Sequence, residues 1–362
     1  MGRLSFSDVK GVIEYNKTNK KKGYEFPMTP KLNTIIGNLM DSQIHIVAGM
    51  PSTGTTSFMD QQYVMGPLLQ WYSTPPEERQ GLKILYFSMT ANELKKAQLF
   101  LCEYLKLNNN LRVDVPTLNS QKGRLYDISK DSVLQQAIED SSPFFDEVID
   151  DGVLEIHDGQ KNPTDIYNTV IAHMMSIGYI NDDKQYVRDE GHEDDLVLVV
   201  IDSLDYLVQD SDGSGTVSGP ALHEKMKRYM LELKNKYGVT MVATISASVG
   251  LVRRPSDTEP HFRQLGAYGA IADRGIMVYN PIIENNRKFF DDAEIYTSAK
   301  GNILMRTWHV VRNTDGIESV YDRMFFLPGT GYFVEYKFVD ELYSIDDVIE
   351  VLNAETPFYS VD

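Results

Sequence analysis

Gly49-Met50-Pro51-Ser52-Thr53-Gly54-Thr55-Thr56-Ser57 reads as a phosphate-binding loop whose lysine is missing. The motif G-x-x-x-x-G-K-[ST] cradles phosphates on backbone N–H groups, reaches the β- and γ-phosphates with its lysine, and holds Mg²⁺ through the final hydroxyl. Gly49, Gly54 and Thr56 occupy the motif's glycine and hydroxyl positions, but Thr55 stands where the ammonium belongs. The flanks suit the loop. Ile44-His45-Ile46-Val47-Ala48 reads as a buried strand, and residues 56–71 read as a helix whose N-terminus points at a bound anion. The stretch therefore argues for a nucleotide site and against ordinary hydrolysis at it.

The chain has 362 residues, 42% of them hydrophobic, enough to bury one large α/β core. No apolar run approaches the length of a membrane span, and Met1 to Phe6 lacks the apolar stretch of a signal peptide, so a soluble, cytosolic protein (bacterial cytosol or virus-infected cell) is expected. A single cysteine, Cys102, excludes an internal disulfide framework and a multi-cysteine metal site. The net charge of −17 argues against non-specific nucleic-acid binding by the surface as a whole. Basic residues nevertheless cluster at 17–22, at 225–228 and at Arg253-Arg254, while acid is concentrated at 182–183, 190–195 and 340–362. Each cluster reads as solvated surface or as a local contact stripe.

Outward from the loop, apolar runs alternate with helical patterns. Ile84-Leu85-Tyr86-Phe87 reads as a strand and 92–107 as a helix, then an irregular stretch leads to a strand at Val153-Leu154-Glu155-Ile156. Asn162 caps a helix with Pro163 in its first turn and Ile166, Val170, Met174 and Ile177 on one face. Residues 196–201 are apolar throughout, as in a strand of a parallel sheet covered on both faces. Leu222, Met226, Met230 and Leu233 mark a further helix, and 239–245 a further strand. This alternation predicts an α/β fold with a mostly parallel central sheet flanked by helices. After about Gly275 the strand-like segments 275–279, 293–299, 303–312, 324–326 and 332–338 succeed one another without helices, which predicts antiparallel strands added at the C-terminal side. Expected divisions are a basic arm over 1–30, a core over 31–338, and an acidic tail helix over 339–362 that packs on its own core or docks on a protein partner. Residues 209–219 read as a mobile loop and 181–195 as a surface insertion.

Gly49 to Ser57, Tyr86-Phe87-Ser88-Met89, Pro163-Thr164-Asp165-Ile166, Val199-Val200-Ile201-Asp202-Ser203-Leu204-Asp205-Tyr206-Leu207, Gly269-Ala270-Ile271 and Arg312-Asn313 occur in an order and spacing that resemble the DnaB-type replicative helicases. The resemblance covers roughly residues 26–336, the RecA-like motor domain of that family. It implies ATP or another nucleoside triphosphate on Gly49, Ser52, Gly54, Thr55, Thr56 and Ser57. It also implies Mg²⁺ on Thr56 and Asp202, self-assembly into a ring or other homo-oligomer, and single-stranded DNA on central loops. Those loops span 209–219 and 249–269, the latter carrying Arg253, Arg254 and Arg263. Arg312 matches the arginine finger inserted into a neighbour's site.

Four departures all touch the chemistry. Thr55 replaces the lysine, the catalytic glutamate aligns with Thr90 (Glu93 lies close by), the usual glutamine aligns near Ser246-Ala247, and the finger's cationic partner aligns with Val310. Phosphoryl transfer is catalysed almost entirely by positioning and charge stabilisation, so such losses slow hydrolysis while the backbone cradle can still bind. Lys95, Lys96 or a neighbouring subunit are candidate replacement cations. Three readings follow: a nucleotide-binding oligomer with weak or lost hydrolysis, an active helicase with a relocated cation, and a pseudo-ATPase serving as a structural or accessory protein. A recombinase or circadian-clock-type RecA-fold ATPase fits the late Arg312-Asn313 pair less well.

Overall fold

The computed structural model describes residues 23–121, 128–212, 215–247, 262–280, 305–327 and 329–335, with Lys10 and Glu14 besides. Most of the basic arm, the expected strand at 293–299, Arg253, Arg254 and the acidic tail lie outside the described residues.

In chain order the strands are β1 (Ile44–Gly49), β2 (Leu82–Ser88), β3 (Leu154–Asp158), β4 (Gly178–Ile180), β5 (Tyr186–Arg188), β6 (Leu196–Asp202) and β7 (Asp210–Asp212). They continue as β8 (Gly215–Val217), β9 (Thr240–Ser246), β10 (Arg274–Tyr279), β11 (Met305–Asn313), β12 (Val320–Leu327) and β13 (Tyr332–Glu335). Nine of them form one sheet in the order β13-β12-β11-β10-β1-β9-β6-β2-β3. From β10 across to β3 every pairing is parallel, and from β10 outward to β13 every pairing is antiparallel. The expected mixed α/β, RecA-like architecture is therefore the observed one.

The alternation of side chains along a strand sorts the core into two layers. Val47, Ile84, Tyr86, Leu198 and Val200 face one layer, whereas Ile46, Leu85, Phe87, Val199 and Ile201 face the other. Every residue of β1 and β6 is buried, His45 and Asp202 included, as strands covered on both faces require. Helices Glu93–Asn109 and Ser132–Phe145 cover the first layer through Phe100 and Phe144. Helices Pro163–Ser176 and Pro220–Tyr237 cover the second through Ile166, Val170, Met226 and Met230. Asn162 caps its helix as expected, accepting from the Asp165 N–H at 2.9 Å.

Two sequence expectations are corrected. The stretch taken as irregular before β3 contains the helix Ser132–Phe145, capped by Asp131 at 3.0 Å and burying Leu134, Ala137, Ser141 and Phe144. Pro143, sitting in its last turn, disguises the pattern. The supposed mobile loop at 209–219 contains the β7–β8 hairpin, anchored by buried Asp210 on Lys225 at 3.0 Å. Within the expected surface insertion at 181–195, β5 pairs with the preceding β4 as a hairpin.

The two ends of the described chain are tied together. Tyr24 and Phe26, assigned to the arm by sequence, are buried in the core, with Phe26 edge-on to Tyr63. Glu335, at the end of β13, accepts from the N–H groups of Lys31 (2.9 Å) and Leu32 (3.1 Å) and from Trp308 Nε1 (3.2 Å). It thereby serves the helix Pro30–Ile36, which has no side-chain cap of its own.

Candidate functional site

The loop leaves the carboxyl end of β1 at the middle of the sheet, between β9 and β10. Ser52 (φ +68°) and Gly54 (φ +91°) both take left-handed backbone conformations there. A Cβ on Gly49 would collide with the hydroxyls of Thr55 and Thr53 and with the Val278 carbonyl, so the cradle requires glycine. Thr53 closes the turn, its N–H and Oγ1 both donating to the Met50 carbonyl at 3.2 and 2.8 Å. The following helix runs Thr55–Met59, passes through a π-helical segment Asp60–Met65 and continues as Gly66–Ser73. No side chain caps its start, whereas Asn92, Asp114, Asp131 and Asn162 cap theirs. Uncapped N–H groups on a left-handed turn suit an anion. Where the lysine would emerge, the Thr55 hydroxyl instead lies 2.9 Å from that of Thr53.

Asp202 ends β6, one strand removed from β1 across β9. Its Oδ1 accepts from Thr56 Oγ1 and from Thr244 Oγ1 of the intervening β9, both at 2.9 Å. This brings together the two expected magnesium ligands. The side-chain pair and the glycine-dependent cradle fit a metal–nucleotide. Mg²⁺ commonly binds one or two protein oxygens together with substrate phosphates, so Thr56 and Asp202 would hold it with the nucleotide's help. When bound it would neutralise phosphate charge. Among the described residues no group of three or more His, Cys, Asp or Glu side chains is disposed to hold a metal unaided.

Beneath this pair lies a buried polar cluster. Lys96 Nζ is 2.9 Å from Asp60 Oδ2 and 3.5 Å from Asp202 Oδ2, with its side chain 1% exposed. Tyr86 OH donates to Asp60 Oδ1 at 2.7 Å and lies 3.3 Å from Asp202 Oδ2. The ammonium also sits 4.7 Å from the Tyr86 ring centroid. Burial alone would depress Lys96, but Asp60 and Asp202 outweigh it and raise its pKa. Burial raises Asp60 against the pull of Lys96. Glu103, also buried, has Oε1 without a hydrogen-bond partner, and burial followed by the Asp60 charge pushes it well above the carboxylate range, favouring its neutral form.

Of the candidate replacement cations, Lys96 is thus spent on carboxylates below the loop. Lys95 is exposed and lines a cleft of about 650 Å³ with Asn92, Gln98 and Asp114. Thr90 and Glu93 are exposed just beyond β2, and neither is hydrogen-bonded to Thr56 or Asp202; the Glu93 N–H donates to Asp158 at 3.2 Å. Ser246 is paired in register with Gly49 beside the loop, and its N–H donates to Asp205 at 2.6 Å. Val310 is fully buried in the core, so the position offers no charge. Arg312 is paired in register with Gly275 at the amino-terminal edge of the parallel strands, opposite its own phosphate loop, and donates to Glu318 at 3.3 Å. Arg263 is exposed in the 3₁₀ segment Phe262–Tyr268.

Sequence reasoning missed the brace on the loop. Arg306, at the start of β11 and 4% exposed, donates through Nε to the Thr53 carbonyl at 2.9 Å and through Nη2 to the Ser52 carbonyl at 3.4 Å. Its guanidinium lies 5.1 Å from the Phe326 ring centroid. Phe326 stacks on Phe333 at 4.4 Å, and both rings press on Gly54, where a Cβ would lie 2.9 Å from Phe333. Gln61 exchanges two hydrogen bonds of 2.9 Å with the Phe333 backbone, fastening β13 to the π-helical turn. No local pattern marks Arg306, because the loop carbonyls it serves are more than 250 residues away in sequence.

No protein-family model and no curated protein matches this sequence. By structure, the chain is similar to a solved ATPase domain, with TM-score 0.65 at 13% identity over 92% of this chain and 99% of that one. It is also similar to a DnaB-like replicative helicase, from a structure describing that protein's interactions with primase. The TM-score there is 0.63 at 14% identity, over 92% of this chain and 67% of that one. The fold is thus RecA-like and similar to that of these ATPase and DnaB-like helicase structures.

Proposed function

We propose that this chain binds a nucleoside triphosphate with Mg²⁺ on its phosphate loop, works as a homo-oligomer in DNA replication or a neighbouring process, and hydrolyses the nucleotide weakly or not at all. The observation that carries the binding half is the 2.9 Å Thr56–Asp202 pair beside an uncapped, left-handed loop. The hydrolytic half fails on charge. The Thr55 hydroxyl is turned onto Thr53, Lys96 is buried beneath Asp202, and Val310 lies in the core. Losing one preorganised transition-state donor typically costs about 2.7–4 kcal/mol in barrier. Oligomerisation rests on the fold relationship, with Arg312 carried at the sheet edge opposite its own loop, beside Glu318. DNA contact through Arg253, Arg254 and Arg263 rests on the fold relationship, and binding through them should weaken steeply with salt.

Titration of fluorescent ATP with Mg²⁺, followed by turnover with and without single-stranded DNA, tests this beside an Asp202→Asn control. Binding without turnover is expected, weakened by Asp202→Asn. DNA-stimulated turnover abolished by Asp202→Asn would replace this reading with an active motor, for which exposed Lys95 is the available cation. No binding would leave a purely structural or accessory role.

A further inference from the structure

We propose that Arg306 is the cation of this phosphate loop, delivered from the C-terminal antiparallel strand β11 instead of from position 55. The role rests on the nucleotide reading above and adds the residue that makes an anion tolerable there.

A turn that aims successive N–H groups at an anion sends carbonyls elsewhere, and buried carbonyls need donors. Arg306 supplies them to Ser52 and Thr53, the left-handed residue and its successor, at 3.4 and 2.9 Å. The planar fork of a guanidinium suits two donations in a fixed geometry, so the loop is held with its N–H groups turned outward. The same group places a permanent positive charge directly behind the loop. Since Arg306 is 4% exposed, water screens that charge poorly. A lysine at 55 would bring its charge into the cradle itself, but the Thr55 hydroxyl there carries none.

Strand direction makes this possible. β11 runs antiparallel to β10, so Arg306 begins it at the loop edge while Arg312 ends it at the opposite edge. Phe326 and Phe333 fill the space between the guanidinium, Gly54 and the loop helix, leaving Arg306 a confined position. Lys96 lies away from those carbonyls, against Asp60 and Asp202.

The test uses the full chain as wild type, Arg306→Gln, Arg306→Lys and Arg306→Gln/Thr55→Lys. Glutamine keeps a donor for the carbonyls but removes the charge, and lysine keeps the charge but loses the fork. Amide hydrogen exchange over residues 50–57 is read without ligand, with β1 and β6 as folding controls. Binding of ATP and of inorganic tripolyphosphate is then measured by calorimetry. Arg306→Gln should weaken both ligands roughly 10- to 100-fold, the size of a lost charged interaction. Arg306→Lys should stay within about 5-fold of wild type while loop exchange quickens, and Thr55→Lys should restore the Gln variant. Wild-type binding matched by Arg306→Gln overturns this role and leaves the nucleotide reading intact. Arg306→Lys falling as far as Arg306→Gln overturns it too, by showing that shape and not charge matters. Should the Gln variant not fold, the lysine variant decides alone: affinity lost with the charge retained refutes the role. Wild type binding neither probe refutes the nucleotide reading, and this role with it.

Discussion

Replacing Lys96 by methionine removes the cation that touches Asp60 and Asp202 while keeping an unbranched chain against the Tyr86 and Phe100 rings. At an effective dielectric near 20, unit charges attract by about 6 kcal/mol at the 2.9 Å separation and about 5 kcal/mol at 3.5 Å. Desolvation of all three groups consumes most of this, and breaking a buried pair from one side typically costs about 3–5 kcal/mol. The variant has one relief, which is to protonate Asp60. Burial already raises that carboxyl, and loss of Lys96 raises it further. A carboxyl whose folded pKa exceeds its unfolded value contributes its stability below the unfolded pKa and loses it as pH rises through the folded one. Lys96→Met should therefore lie closest to wild type near pH 5 and fall furthest behind near pH 8. Urea unfolding followed by far-UV circular dichroism and by Trp71 and Trp308 fluorescence at pH 5, 6.5 and 8 gives the difference. Adding Asp60→Asn to Lys96→Met should recover about half of the loss, because one stranded charge is removed. A Lys96→Met protein within about 1 kcal/mol of wild type at pH 8 would refute the network, as would a loss independent of pH.

Three further outcomes are expected. Thr55→Lys should sacrifice the Thr53–Thr55 hydrogen bond, at about 0.5–1.5 kcal/mol, yet raise ATP affinity and turnover; unchanged affinity and turnover would show that another cation already serves the loop. His45, buried between Tyr63 (3.0 Å) and Gln43 (2.9 Å), has its pKa lowered to about 3 by burial and then by Arg274, so the unfolded chain takes up a proton below about pH 6.5 that the folded protein refuses. Stability should consequently drop by about 1.4 kcal/mol per pH unit below that point. His45→Gln should lose about 2 kcal/mol less between pH 7 and 5, and parallel wild-type and variant curves would contradict the assignment. Glu335→Ala should strand the Lys31 and Leu32 N–H groups and the Trp308 indole, lowering stability by about 2–4 kcal/mol and shifting Trp308 emission to the red in mild urea. An unshifted emission with full stability would mean the helix Pro30–Ile36 does not depend on that carboxylate.

By itself the sequence determined the fold class and the location of the loop. These signals are local: β6 shows its double burial as six successive apolar residues before Asp202, and Asn162-Pro163 announces a helix start through groups within one turn. The helix Ser132–Phe145 escaped because Pro143 lies inside it and breaks the pattern that would have declared it. The site was half legible. Gly49, Thr56 and Asp202 could be named because each closes its own strand or opens its own helix, and their meeting follows from strand ends gathering at one edge of a parallel sheet. Which cation serves which anion was not legible. Lys96 and Lys95 adjoin in the chain, yet helix rotation buries one against Asp60 and exposes the other. Arg306 and Arg312 share a strand, yet its antiparallel direction sets one against the loop and the other at the far edge. A charge acts over a few ångströms of space with no regard for chain separation, so tertiary structure alone decides its partner.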